Sequence, residues 1–268
     1  MAGTWRDGGR SGTRTLSAPG RVPRFLPEAV GYDREAMVTA RRQFHEELET
    51  LELDILSMGE LAEQALGKAM VALDSRDPDT ADQVIAGDDE IDDRYLSVER
   101  RWLELMALQT PVASDLRLVS VILHVNLHLE RIADMAVNIA KIAKLTSQLP
   151  TNQTILSHLK EMADVVRPML RTSLDAFVRR DLQLASSLPR MDDPVDRLNR
   201  GMYREVAACA GDPQVLEWAI RMMVVSRQLE RVGDHAVDIA EQVAFLLTGE
   251  FQEFTDASHP DGSPTDGG

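Results

Sequence analysis

The sequence contains one cysteine, Cys209, and aromatic residues make up only 4% of its 268 positions. A single thiol excludes an internal disulfide framework and any cysteine-rich zinc module, and it suits a reducing cytoplasm. With few aromatics but 44% hydrophobic residues, the core falls to Leu, Val, Ile, Ala and Met. That balance favours helical bundles over β-sandwiches. No apolar run approaches the roughly 18 residues of a membrane span, and the N-terminus lacks the compact apolar stretch of a signal peptide. A soluble, intracellular protein is therefore expected. Positive charge is also scarce. The 29 basic residues against 44 acidic ones leave a net charge of -15, which repels nucleic acid and anionic lipid at long range. No nucleic acid partner is expected, and cations or basic protein surfaces are the more natural ligands.

Glycine and proline are unevenly spread. Residues 1–36 hold six of the 16 glycines and three of the 12 prolines and carry +2, a composition that cannot bury a core. This stretch is expected to be a disordered extension. Its arginines lack amphipathic periodicity and Met37 directly precedes the first helical pattern, so a non-native upstream start is as good a reading as a targeting segment. Residues 249–268 hold five acids and no base and read as a disordered, solvated acidic tail. Between them, 37–248 carry -12 with only six glycines in 212 residues. Apolar residues recur there at helical spacing from Phe44, Leu48, Leu51, Ile55 and Met58 onward. Six helices are predicted, at about 43–74, 79–108, 111–147, 153–180, 182–209 and 213–248. Asp77-Pro78, Thr110-Pro111 and Asp212-Pro213 supply caps followed by a proline suited to a first turn. Pro168, Pro189 and Pro194 are expected to kink or shorten the fourth and fifth helices.

The chain repeats itself. At an offset of 100, Leu129-Glu-Arg-Ile-Ala-Asp-Met-Ala-Val-Asn-Ile-Ala140 aligns with Leu229-Glu-Arg-Val-Gly-Asp-His-Ala-Val-Asp-Ile-Ala240, with eight of 12 positions identical. Upstream, Asp88-Asp-Glu-Ile-Asp92 aligns with Asp192-Asp-Pro-Val-Asp196 at an offset of 104. The predicted fold is all-α: two tandem three-helix bundles, 37–149 and 150–248, related by pseudo-twofold symmetry.

Each unit carries two acid-x-x-x-acid pairs: Asp88/Asp92 with Glu130/Asp134, and Asp192/Asp196 with Glu230/Asp234. Residues four apart share a helix face, and like charges there destabilise an isolated helix by roughly a few tenths of a kcal/mol. If the two helices of each unit pack antiparallel, their pairs converge into four carboxylates, which bind hard cations such as Mg, Mn, Ca or Fe. The competing reading is a set of solvated acidic faces, which the doubling at equivalent places argues against. Asn126 and Asn138, and Ser226 and Asp238, extend each stripe with further oxygens. Arg131 and Arg231 follow each Glu and either screen it or pair with a neighbouring helix. His124 and His128 have zinc-like spacing but point well away from the Glu130 stripe, so they read as packing or surface histidines. Catalysis finds little support. Neither Glu130 nor Glu230 has the histidine three residues on that di-iron bundles require, and no phosphate-binding glycine loop or nucleophile elbow is present. Cys209 and Met222-Met-Val-Val225 read as core.

Gly87-Asp-Asp-Glu-Ile-Asp92, Pro111-Val-Ala-Ser-Asp-Leu-Arg117, Leu129-Glu-Arg-Ile-Ala-Asp134 and Leu229-Glu-Arg-Val-Gly-Asp234 together closely resemble the PhoU family of phosphate-transport regulators, over about 39–248. The resemblance implies a non-enzymatic negative regulator linking a phosphate ABC transporter, through its ATPase, to a sensor histidine kinase, often as a homodimer. It implies a cytoplasmic protein that meets the inner face of the membrane only through partners. It also implies divalent or ferric metal (Fe, Mn, Mg or Zn) at Asp88, Asp92, Glu130, Asp134, Asp192, Asp196, Glu230 and Asp234. Pro189 and Pro194 bracket the second Asp pair and are expected to displace Asp192, and Asn138 replaces the acid found at 238. The rivals to this reading are a metal-storage or redox bundle and a structural helical spacer.

Overall fold

The computed structural model describes residues 34–108, 111 and 114–254. Among these residues no strand occurs, and helices account for nearly all of them. They run α1 (Arg34–Ser75), α2 (Pro78–Ala86), α3 (Asp88–Leu108), α4 (Ser114–Thr146), α5 (Gln153–Arg179), α6 (Leu182–Ala185), α7 (Leu188–Ala208) and α8 (Pro213–Thr248), with a 3-10 turn at Cys209–Gly211. The order long helix, short helix, medium helix, long helix occurs twice. The fold is thus two tandem three-helix bundles in which α2 with α3, and α6 with α7, each stand where one helix was predicted.

The predicted caps act as expected where they are described. The Asp77 side chain accepts from the Asp79 N–H at 3.0 Å with Pro78 in the first turn. Asp212 accepts from Gln214 and Val215 ahead of α8, again with proline in the first turn. Thr110 lies outside the described residues, and α4 begins at Ser114 rather than at Pro111. α1 begins at Arg34, earlier than the periodicity suggested. Pro168 sits inside α5 without ending it, while Pro189 falls in the first turn of α7, where the missing N–H costs nothing. Gly249 closes α8 with φ 78° and donates its N–H to Phe245, a left-handed conformation that favours glycine.

α4 and α8 are the central helices. They pack against each other across the two bundles, and each carries a long series of buried residues, among them Leu129, Ile132, Ala133 and Ala136, and Leu229, Val232, Gly233 and Ala236. Fully burying each of the larger aliphatics contributes about 1.5–3 kcal/mol. α1 is tied to both halves by side chains at its surface. Arg101 of α3 meets Asp54 and Glu47, while Arg167 and Arg171 of α5 meet Glu63. Past α8 the chain turns back: Phe251 stacks on Phe245 with centroids 3.8 Å apart, and the Phe254 N–H donates to Glu241 at 2.7 Å. Two phenylalanines within an acid-rich stretch account for this return, which average composition hid.

Candidate metal centres

Period-four spacing places each acid pair on one helix face, and α3 packs on α4 and α7 on α8. This brings the pairs near each other, although among the described residues no three of these carboxylates bring ligand atoms within 4.8 Å of one another. In the first repeat Asp88 and Glu130 sense the acids around them. Burial, then Asp92 and Asp134, raises the Asp88 pKa. Burial, then Asp134 and more weakly Asp92 and Asp88, raises that of Glu130, opposed by Arg131. Arg131 stays on its own helix, 3.3 Å from Glu130 and 3.2 Å from Asp134. Glu130 Oε2 is nonetheless buried without a hydrogen bond. Behind this group, buried Asn126 donates to the Tyr95 carbonyl oxygen at 3.1 Å.

The second cluster is the more deeply set. Asp192, Asp196, Glu230 and Asp234 line one cleft of about 460 Å³ with Asn199, Arg227, Asp238 and Glu241. Glu230 is only 8% exposed and its pKa is pushed up to about 7, first by burial and then by Asp234, with Arg227 pulling the other way. Asp234, at the cleft mouth, is also raised by the partial burial of its carboxylate and by Asp196. Arg227, one turn before Glu230, holds Glu230 Oε1, while Glu230 Oε2 is buried with no hydrogen-bond partner. The stronger basic neighbour of this glutamate is thus Arg227, while Arg231, named from the sequence, screens it more weakly. Asp192 lies over the α8 backbone: a Cβ at Gly233 would stand 2.3 Å from Asp192 Oδ1. The first repeat has Ala133 at the equivalent place. Pro189 and Pro194 therefore leave Asp192 in the cleft rather than displacing it. The cleft gathers carboxylate oxygens together with two arginines, Arg227 and Arg200, the latter 3.2 Å from Asp196, and the buried Glu230 Oε2 is the atom a hard cation would satisfy.

The histidines divide. His124 is exposed and bonds its own helix at the Ser120 carbonyl. His128 instead crosses the α4–α8 seam, with Nδ1 3.0 Å from His235 Nδ1 and 3.5 Å from Asp238 Oδ2. Burial holds His128 down at about 4, against the pull of Asp238, so at neutral pH this contact is not an ion pair. His235 replaces Met135 of the first repeat, a polar residue at an apolar place and the one signal in the sequence that could have marked it. Cys209 is buried at the end of α7, as expected of core.

Comparison with known proteins follows the same doubling. The PhoU domain family model matches residues 55–143 and again 159–243. The "Phosphate-specific transport system accessory protein PhoU homolog" of Caulobacter vibrioides (strain NA1000 / CB15N) is 34% identical over 210 residues, covering 78% of this chain and 91% of its own. The "Phosphate-specific transport system accessory protein PhoU" of Escherichia coli (strain K12) is 32% identical over 211 residues, with 78% and 86% covered. The crystal structure of PhoU from Pseudomonas aeruginosa superposes with a TM-score of 0.74 at 33% identity, over 77% of this chain and 100% of that one.

Proposed function

This chain belongs to the PhoU family, and from that premise we propose that it is a negative regulator of phosphate uptake and phosphate-starvation signalling. It passes the state of a phosphate ABC transporter, met at its cytoplasmic ATPase, to a sensor histidine kinase. The observation that carries this reading is the pair of carboxylate clusters at equivalent places in two repeats, in a chain whose full-length relatives are named as transport accessory proteins. A charge of -12 over 37–248 makes the bundle a poor direct receptor for free phosphate, which would approach against the field. Phosphate status therefore reaches it through a partner protein or through bound metal.

Asp88, Asp92, Glu130 and Asp134 would hold divalent or ferric metal in the first repeat, and Asp192, Asp196, Glu230 and Asp234 in the second. Bound metal supplies positive charge that relieves carboxylate repulsion and fixes the packing of α3 on α4 and of α7 on α8. The chain's own part is to hold Glu230 and Glu130 largely out of water, where each gains most from a cation. No described helix is long and apolar enough to cross a membrane. In this reading the protein is a non-enzymatic cytoplasmic homodimer that meets the inner face of the membrane through its partners. Its long exposed helical faces suit binding to other helices. Deleting the gene together with all paralogues is expected to leave a phosphate-starvation reporter switched on in phosphate-rich medium. Normal repression in that strain would contradict the regulatory reading.

A further inference from the structure

We propose that His128, His235 and Asp238 form a third metal site, distinct in chemistry from the carboxylate clusters, that takes a borderline-soft divalent ion such as Zn²⁺ at the seam between the two bundles. The proposal stands on geometry. His128 Nδ1, His235 Nδ1 and Asp238 Oδ2 make a triangle with edges of 3.0, 3.2 and 3.5 Å. A tetrahedral ion with metal–nitrogen distances of about 2.0–2.1 Å holds its ligand atoms about 3.3–3.4 Å apart, so the three donors need move only by tenths of an ångström to share one ion. All three are half-buried, and together they form the one group of three or more His, Cys, Asp or Glu donors among the described residues that converges in this way. Two imidazole nitrogens 3.0 Å apart are bridged by one shared proton when the rings take opposite tautomers, and a metal ion can take the place of that proton.

Two imidazoles and one carboxylate are the donor set of zinc and its neighbours in the transition series, not of Mg²⁺ or Ca²⁺. Asp238 also borders the cleft of the second carboxylate cluster, which leaves a side open for water as fourth ligand. The ion would join α4 of one repeat to α8 of the other. At the repeat offset of 100 the counterpart residues are Met135 and Gln228, so the symmetry offers no second such pair and the stoichiometry is one per chain.

Co²⁺ is the probe, because four-coordinate Co²⁺ with nitrogen ligands absorbs strongly in the visible whereas six-coordinate, all-oxygen Co²⁺ absorbs weakly. Titration of the metal-stripped full-length chain is expected to give an intense visible band that saturates at one equivalent and is displaced by Zn²⁺. The band is expected to disappear in His128→Gln and His235→Gln, to require about tenfold more Co²⁺ in Asp238→Asn, and to persist in Glu230→Gln/Asp234→Asn, whose loss would concern only the carboxylate sites. Far-UV circular dichroism checks that each histidine variant is folded, and Zn²⁺ is expected to raise the Tm of the wild type by more than that of these variants, which keep only the carboxylate sites. A weak octahedral spectrum in the wild type, or an intense band that survives both histidine changes, would overturn the site and leave a plain imidazole–imidazole hydrogen bond in its place.

Discussion

Glu230 concentrates the electrostatic problem of the second cluster in one side chain. Its usual pKa of 4.5 rises to about 7 in the folded chain, so between those values the folded state keeps a proton that the unfolded chain releases. Stability of the metal-free protein therefore falls as pH rises through that window, and the penalty is complete above it. Glu230→Gln removes the penalty and also the pairing with Arg227. That pair involves an arginine 59% exposed and is worth at most about 1 kcal/mol, so relief of the buried charge wins. The variant is expected to be more stable than wild type by roughly 1–3 kcal/mol near pH 8, with the difference vanishing near pH 4. Urea melts of stripped protein at the two pH values measure it, and an equal difference at both would show that Glu230 ionises normally. The acids themselves were legible in the sequence because the spacing of four and the repeat offsets of 100 and 104 survive in the residues. The His128–His235 pair was not, because periodicity gives a residue's own face and says nothing of which helix lies opposite, whereas Arg227 sits three residues before Glu230 on the same helix and its spacing could have marked it.

At the scale of elements, the approach of α7 to α8 rests on the missing side chain at Gly233. Gly233→Ala puts a Cβ where Asp192 Oδ1 lies at 2.3 Å, and the carboxylate must swing out of the cleft. Strain of about 1–3 kcal/mol is offset by the gain of about 0.8–1 kcal/mol from alanine in a helix, so the melting temperature should move by only a few degrees. Affinity of the second cluster for Mn²⁺ is expected to fall about tenfold, since one of its four charges is lost. Unchanged Mn²⁺ affinity by calorimetric titration would remove Asp192 from the site. Several element boundaries could be read from caps, as at Asp77 and Asp212. The break at Gly87 could not, because its backbone stays near-helical at φ -78° and ψ -7° and the apolar rhythm runs on through it. Ser187 opens α7 without a side-chain cap, and the signal for the α6–α7 break is Pro189 in the first turn.

For the whole molecule, the doubled sequence specifies the doubled architecture. The same buried face on α4 and α8 joins the bundles, and each bundle then carries its carboxylates at the corresponding place. The central claim is that each cluster holds metal through its own acids. Metal content after loading with Mn²⁺ tests it most directly, since Mn²⁺ favours oxygen donors and has little claim on the imidazole pair. Plasma mass spectrometry of wild type, Glu130→Gln/Asp134→Asn and Glu230→Gln/Asp234→Asn is expected to show each double variant losing about half of the bound Mn²⁺, because neutral isosteres keep the shape and remove the charge. Wild-type stoichiometry in both variants would contradict the account.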